Sequence, residues 1–274
     1  MLVVVASRHD KAAGALVNRW AAHGASLLTS EDLSMAGWRH YLGSSDPELQ
    51  PVVTNEVWGN RYQQPKAALD MYSTAVVGGQ TIPSLRDAAR TVSSANTIEK
   101  ITGVLIRLPC IFEPELPHII PEDRAYVAAE MNAFLISWLS RLKCPVLNRP
   151  TPTYLLGPAW RPEQWIYAAA QIGIPVRPRK RKVILSPHVT PPVIEQPGFT
   201  VTVVGKHCLG TVNKTLAHHA RNLADAAKVD LLTVHFSDDQ SPAEFLSADL
   251  WADISVPEIA DAILEYLRGG NAQC

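Results

Sequence analysis

Long apolar runs, closely spaced cysteines and an excess of one charge are all missing from this chain of 274 residues. No stretch approaches the roughly 18 apolar residues that a membrane-spanning helix needs, so no membrane span is expected. The four cysteines show no C-x-x-C spacing, which argues against a zinc ribbon or a disulfide framework. A formal net charge of -1 provides no long-range field that would attract nucleic acid. The opening MLVVVASRHD lacks the features of a secretion signal, so we expect a cytoplasmic protein whose partners are small molecules or proteins.

The first half of the chain alternates apolar strands with helical patterns. Hydrophobic residues make up 47% of the sequence, enough for one large core or two modest ones. The pattern predicts strands at Leu2–Ala6, Ala25–Thr29 and Ile101–Leu108 and a helix over Lys11–Ala22. This alternation is typical of an open, mostly parallel sheet with helices on both faces, the α/β class. Residues 37–66 are aromatic and irregular; they indicate loops or a surface hairpin whose role the sequence does not reveal.

The second half contains a break between two regular parts. Residues 177–198 are basic and rich in proline, which removes backbone donors and interrupts helices and strands. We therefore predict an α/β domain over 1–176, a connector over 177–198 and a smaller α+β segment over 199–274. Before the connector the sequence predicts helices at Glu122–Lys143 and Pro162–Gly173. After it, the sequence predicts helices at Thr215–Lys228 and Pro257–Arg268 and strands at Phe199–Val204, Cys208–Val212 and Asp230–His235.

Three short motifs suggest ligand binding but have simpler interpretations. Gly205–Gly210 has the glycine spacing of a phosphate-binding loop, yet the Lys and Ser or Thr that should follow are absent, and a hairpin turn explains it better. His218 and His219 are adjacent on a predicted helix and project about 100° apart, which suits exposed histidines better than a metal pair. His9 follows the first strand, at the edge where open α/β sheets bind ligands. The sequence leaves two roles for His9, a ligand contact or a capping or loop role.

Four motifs follow one another in the middle of the chain. They are a strand ending in arginine, a long helix that begins at an acidic turn, an Asn-Arg-Pro loop and a helix ending in Gly-Ile-Pro. They lie at Gly103–Arg107, Ile120–Glu130, Cys144–Pro150, Gly157–Trp165 and Gly173–Val176. In this order they resemble the domain that precedes the ATP-binding lobes of ATP-grasp ligases, the family of ribosomal-protein glutamate ligases, glutathione synthetases and peptide-modifying ligases. Thr200–Gly205 and Asp230–Asp249 resemble strands of the carboxyl lobe of that family.

At the positions that the resemblance assigns to catalysis, the chain departs from the family. Thr200 stands nearest to where a phosphate-binding arginine is expected, and His235 stands where a magnesium-binding acid is expected. The later metal motif corresponds to Ser247-Ala-Asp249, in which only Asp249 keeps a charged oxygen ligand. Residues 177–197 are too few for the ATP-binding amino lobe, which needs roughly 30 residues before turns. The expectation is therefore no cofactor, no catalytic residue and at most a weak metal ligand at Asp249, with ATP and magnesium as the alternative.

The resemblance thus predicts a catalytically deficient pseudoenzyme that acts as a binding or scaffolding subunit for a peptide- or amino-acid-modifying enzyme. The alternative is an ATP-dependent carboxylate–amine ligase that a partner chain completes or that uses altered chemistry. A third interpretation is a doubly wound small-molecule binder whose similarity to ligases is only architectural. The expected partners are a protein or a second copy of the chain, with a peptide or small carboxylate as ligand.

Candidate ligand contacts are polar side chains of the first domain. Guanidinium groups suit carboxylates, because their paired N–H donors match the two carboxylate oxygens. Loop-fixing hydrogen bonds are the alternative role for each candidate. The candidates are His9, Arg107, Arg124, Asn148, Arg149 and Arg161.

Overall fold

The computed structural model describes residues 1–34, 39–40, 75–77, 80–81, 101–177, 197–210, 213–240 and 242–270. The chain divides into two compact units, Met1–Leu156 and Gly157–Cys274. Most of the aromatic segment 37–66 and most of the connector 177–198 lie outside the described residues, and the division into domains at 176 and 198 stays a prediction. Among the residues that the structure describes, none forms a helix with the length and hydrophobicity to cross a membrane.

The first unit is built on a four-stranded parallel sheet with the strand order β2-β1-β6-β7. All residues of β1 and β6, its two central strands, are buried, as is typical of parallel sheets. The register aligns Leu2 with both Ala25 and Gly103, so the four strands end along one edge. The strands are β1 (Leu2–Ala6), β2 (Ala25–Leu28), β6 (Gly103–Arg107) and β7 (Val146–Leu147).

Three helices accompany this sheet: α1 (Lys11–Arg19), α2 (Ser30–Ser34) and α3 (Pro121–Arg141). The Asp10 carboxylate accepts a hydrogen bond from the Ala13 N–H and caps α1. Pro121 opens α3, where the missing N–H of proline would have no partner within the helix.

A small antiparallel sheet consists of β3 (Arg39–His40), β4 (Ala75–Val77) and β5 (Gln80–Thr81).

The second unit contains an antiparallel sheet with the order β11-β10-β8-β9. Its strands are β8 (Phe199–Val204), β9 (His207–Leu209), β10 (Leu231–Phe236) and β11 (Phe245–Asp249). Its helices are α4 (Pro162–Gln171), α5 (Lys214–Ala227) and α6 (Pro257–Glu265). The predicted hairpin of Gly205 is confirmed, since Val204 pairs with His207 across the turn.

One face of the antiparallel sheet packs against helices. Cys208 pairs with Val203, and its Sγ lies 3.4 Å from the carbonyl oxygen of Ala217 in α5. Val201 and Val203 of β8 are buried, as are Leu232 and Val234, their partners on β10. Side chains alternate between the two faces of a strand, so the residues between these valines and leucines lie on the opposite face.

Candidate functional site

The opposite face of the antiparallel sheet is polar. Thr200 is directly opposite His235, and Thr202 is directly opposite Thr233, which in turn is opposite Asp249. Residues opposite each other in antiparallel strands point to the same side of the sheet. These five residues, which come from three neighbouring strands, form what we call the polar face.

His235 connects the outer strands of the polar face. Its Nδ1 lies 3.0 Å from Oγ1 of Thr200, and its Nε2 lies 3.0 Å from Oδ2 of Asp249. The His235 side chain is 21% exposed and that of Asp249 is 47% exposed. The imidazole is therefore fixed on both sides, while the carboxylate is open to solvent.

Hydrogen-bonding capacity determines which of these groups donates. An ionised carboxylate only accepts, so Nε2 of His235 donates to Asp249. In the neutral ring Nδ1 is then an acceptor and the Thr200 hydroxyl donates to it; in the imidazolium, Nδ1 donates to Thr200 instead. Both ring nitrogens are therefore occupied within the row, and the Thr200 hydroxyl can donate to an anion such as a phosphate only when it does not donate to Nδ1.

Asp249, the weak metal candidate, has the imidazole of His235 beside it rather than a second carboxylate. In the described part of the chain, no three or more His, Cys, Asp or Glu side chains are grouped so as to hold a metal ion. Magnesium prefers oxygen ligands in octahedral geometry, and this pair offers one carboxylate and one nitrogen. The donor set therefore fits magnesium poorly.

A second group of polar residues lies at the carboxyl edge of the parallel sheet, where three of the candidate residues end or follow strands of that sheet. Arg107, the last residue of β6, is 6% exposed and its Nε lies 2.8 Å from Oδ2 of Asp10. Asn148 follows β7 and is buried. His9 is exposed and accepts from Nε of Arg8 at 3.3 Å. The buried Arg107 is thus held by a partner within the fold, and a ligand role for Arg107, Asn148 and His9 stays a prediction.

Arg124 and Arg149 hold loops in the first unit. Nε and Nη2 of Arg124 donate to the carbonyl oxygens of Ile119 and Pro117 at 2.8 and 3.1 Å, just before α3. Arg149 donates to two carbonyl oxygens that follow α3, at 3.0 and 3.2 Å. Both guanidinium groups therefore make the loop-fixing hydrogen bonds that were the alternative interpretation, and a ligand role for them stays a prediction.

Arg161 stands apart from the other candidates, in the second unit. It is the residue before α4 and is exposed. Its backbone N–H donates to Oε1 of Gln164 at 2.8 Å, which satisfies a donor at the start of the helix. A ligand contact through its side chain stays a prediction.

The sequence reasoning missed a group of contacts between α2 and the segment after β6. Ser30 Oγ donates to Oε2 of Glu115 at 2.7 Å, and Ser34 Oγ lies 2.7 Å from Nε2 of His118. Burial, and secondarily the charge of Glu115, raises the pKa of the Cys110 thiol. More than 80 positions separate the partners in each of the two hydrogen bonds, and no periodicity or motif links them.

No protein-family model and no curated protein matches the sequence. Solved structures do match. The macrocyclase MdnC from Microcystis aeruginosa MRC, bound to precursor peptide MdnA, is 11% identical, with a TM-score of 0.56 over 97% of this chain and 99% of that chain. A RiPP-associated ATP-grasp ligase from Chryseobacterium gregarium, in complex with ADP and a leader and core peptide, is 10% identical, with a TM-score of 0.56 over 99% and 97%. The ATP-grasp ligase PsnB, with peptide PsnA2 and AMPPNP, is 11% identical, with a TM-score of 0.53 over 97% and 98%.

The chain thus has an ATP-grasp-like fold: a parallel α/β sheet followed by a smaller antiparallel α+β part. The predicted fold class is confirmed. The expected loss of the ATP-binding lobe is not supported, because the alignments cover 97–99% of the solved ligases. The prediction of a catalytically deficient scaffolding subunit, based on that loss and on the departures at Thr200 and His235, is wrong, because the solved structures matched over their full length include ligases bound to ADP or AMPPNP. Residues 177–197 are too few for that lobe by themselves, but the matched region extends over 97–99% of this chain.

Proposed function

We propose that this chain is an ATP-dependent carboxylate–amine ligase that acts on a peptide. Support comes from the polar face, because the resemblance in sequence assigns Thr200, His235 and Asp249 to the phosphate- and metal-binding positions of ATP-grasp ligases, and their side chains form one hydrogen-bonded row. It also comes from the solved structures of similar fold, which include ligases bound to ADP or AMPPNP and to precursor peptides.

The polar face suits the phosphate end of a nucleotide. The Thr200 hydroxyl can turn from Nδ1 of His235 toward a phosphate oxygen, and the half-exposed Asp249 can accept from a donor or contact a cation. Buried hydroxyls of Thr202 and Thr233, with Oγ1 atoms 3.5 Å apart, form the floor next to them. Bound ATP would supply the phosphoryl group that activates a carboxylate for attack by an amine.

A partner chain is needed for the complete enzyme if this chain alone does not bind nucleotide. A protein partner or a second copy of the chain therefore belongs to the proposal as an outcome to be measured. The molar mass in solution, measured by light scattering with and without ADP, distinguishes the monomer from an assembly.

The decisive experiment is nucleotide binding followed by turnover. In the presence of a divalent cation, ADP at about 100 times the dissociation constant of ADP should raise the free energy of unfolding by about 2.7 kcal/mol, measured by denaturant unfolding. ATP, the cation and a pool of peptides containing Asp, Glu and Lys should then give ADP, phosphate and peptides that have lost one water, detected by mass spectrometry.

A matched pair of variants assigns the binding to the polar face. Asp249→Asn should weaken ADP binding, because it removes the carboxylate of the polar face. Asp225→Asn changes an exposed carboxylate on α5, which packs against the opposite face, and should leave binding unchanged. No stabilisation by nucleotide under any cation, with or without a protein partner, would overturn the proposed function.

A further inference from the structure

We propose that a groove of the first unit binds a peptide segment in which a large apolar side chain stands beside an arginine or lysine. The groove lies between α2 and α3 and is lined by Leu33, Glu130, Met131, Phe134 and Leu135. This inference goes beyond the proposed function, because it concerns a surface of the first unit and requires neither nucleotide nor the polar face.

The groove has an apolar floor and the size of one or two side chains. Leu33 of α2 and Leu135 of α3 are buried, whereas Met131 and Phe134 are partly exposed. The volume of the groove is about 200 Å³, below the roughly 300–1,000 Å³ of pockets that enclose a small-molecule ligand. An apolar side chain of a peptide therefore fits this groove better than a cofactor does.

An aromatic–acidic–aromatic row runs along α3 into the groove. Tyr126, Glu130 and Phe134 are spaced four residues apart, so their side chains are neighbours on one side of the helix. Tyr126 is 69% exposed, and Glu130 is exposed as well. A carboxylate between two aromatic rings suits a cationic side chain, because the carboxylate forms an ion pair and the ring faces attract a cation.

The elements that border the groove carry an excess of negative charge. Helix α2 contains Glu31 and Asp32 and no lysine or arginine. From position 109 to 135 the sequence has one arginine and no lysine, and this residue, Arg124, already donates to backbone carbonyl oxygens before α3. The same stretch contains five acidic residues, which are Glu113, Glu115, Glu122, Asp123 and Glu130.

Glu130 is the acidic residue at the groove that a partner can pair with. Within the described part of the chain its carboxylate has no ion pair and no side-chain hydrogen bond. Glu31, by contrast, pairs with Arg8, and Glu115 accepts from Ser30. A basic side chain that enters with an apolar neighbour therefore gains a charge partner at Glu130 while the apolar neighbour covers the floor.

The test is the binding of fluorescein-labelled synthetic peptides to the full chain without nucleotide, followed by fluorescence anisotropy. The peptides carry Leu and Arg at varied spacings on a Gly-Ser background, and matched peptides have Ser in place of Leu or Glu in place of Arg. We expect binding only when Leu and Arg are both present. Binding should weaken as salt is added, because the ion pair with the exposed Glu130 is screened.

Variants of the exposed row assign the binding to this groove. Glu130→Lys should weaken binding of the Arg peptide by about tenfold or more and should bind the Glu peptide better than the wild type does, because the charge is reversed. Tyr126→Ala should weaken binding by about threefold, and Tyr126→Phe should preserve it, since the ring face attracts the cation. Glu258→Lys, at an exposed position of α6, is the matched control and should bind like the wild type.

Binding that persists without Leu or without Arg, or equal affinities of the wild type and Glu130→Lys for the Arg peptide, would overturn the proposal. A wild-type dimer that Glu130→Lys dissociates, seen by light scattering, would also overturn it, because a second copy of the chain would then occupy the groove. The outcome is independent of ligase activity, since no nucleotide is present. Peptide binding without ADP binding would retain the groove while the proposed function fails, and ADP binding without peptide binding would give the reverse result.

Discussion

Asp10 and Arg107 form a buried ion pair that links two neighbouring strand ends to a helix. Oδ2 of Asp10 lies 2.8 Å from Nε of Arg107, and the side chains are 11% and 6% exposed. The same carboxylate caps α1 through the N–H of Ala13 at 3.0 Å. One acidic side chain thus fixes the start of α1 against the end of β6.

Breaking this pair should be costly. Arg107→Leu leaves a buried carboxylate without its cation, and we expect a loss of about 3–5 kcal/mol in the free energy of unfolding. Adding Asp10→Asn should recover much of that loss, because the uncompensated charge is gone while an amide oxygen can still cap α1. Denaturant unfolding of both single variants and the double variant measures the coupling.

The exposed pair of Arg8 and Glu31 is the control, since its atoms are also 2.8 Å apart but its side chains are 43% and 36% exposed. Arg8→Gln should cost no more than about 1 kcal/mol. Equal losses for Arg8→Gln and Arg107→Leu would contradict the importance of burial.

Asn132 should be important for the loop that follows β6. Its amide accepts from the N–H of Ile111 at 2.9 Å and donates to the carbonyl oxygen of the same residue at 3.2 Å. Asn132→Ala leaves both backbone groups of a buried residue without this partner, which should cost about 1–3 kcal/mol. Asn132→Asp keeps only the acceptor and should not restore stability; unfolding in denaturant compares the two variants.

His219 should make the fold sensitive to acid. Burial, and secondarily the nearby His218, lowers the pKa of His219, and its Nδ1 is buried without a hydrogen-bond partner among the described residues. The unfolded chain therefore binds the proton more readily than the folded one, so stability is full above the ordinary histidine pKa of about 6.5 and falls as the pH drops toward the lowered value.

Unfolding of the wild type and of His219→Leu at several pH values checks this expectation. The wild type should lose more stability on acidification than His219→Leu, whereas a variant of the exposed His207, His207→Gln, should follow the wild type. Parallel pH curves for wild type and His219→Leu would exclude a role for His219.

Cys110 should be a slow nucleophile in the folded protein. Its thiol pKa is raised by burial and then by Glu115, and only the thiolate reacts with alkylating reagents. Iodoacetamide labelling followed by peptide mass spectrometry should give a higher midpoint pH for Cys110 in the native protein than in denaturant. Glu115→Gln should lower the native midpoint, and Glu113→Gln, at an exposed position, should not; a native midpoint equal to the denatured one would contradict this prediction.

The elements of this fold could be predicted from sequence where one periodicity dominates. Helix α3 was expected over Glu122–Lys143 and spans Pro121–Arg141, because an apolar stripe and an opening proline both mark it. Strand β10 was expected over Asp230–His235 and spans Leu231–Phe236. Each of these signals lies within the residues of the element itself, so the element can be predicted from its own stretch of sequence.

The candidate site could be predicted only in part. The resemblance picked out the three positions separately and interpreted Thr200 and His235 as losses and Asp249 as a weak metal ligand, whereas their hydrogen bonds depend on the register of three strands. A residue-by-residue comparison cannot reveal that replacements on adjacent strands contact one another. The same holds for Arg107, whose partner lies 97 positions away.

The two faces of the antiparallel sheet have a consequence for how such a chain can evolve. Packing against α5 uses one set of alternating residues, and the polar face uses the other. Substitutions at Thr200, His235 or Asp249 can therefore change the chemistry of the polar face without repacking the valines and leucines behind them. New chemistry can arise on this sheet while the scaffold that supports it is inherited unchanged.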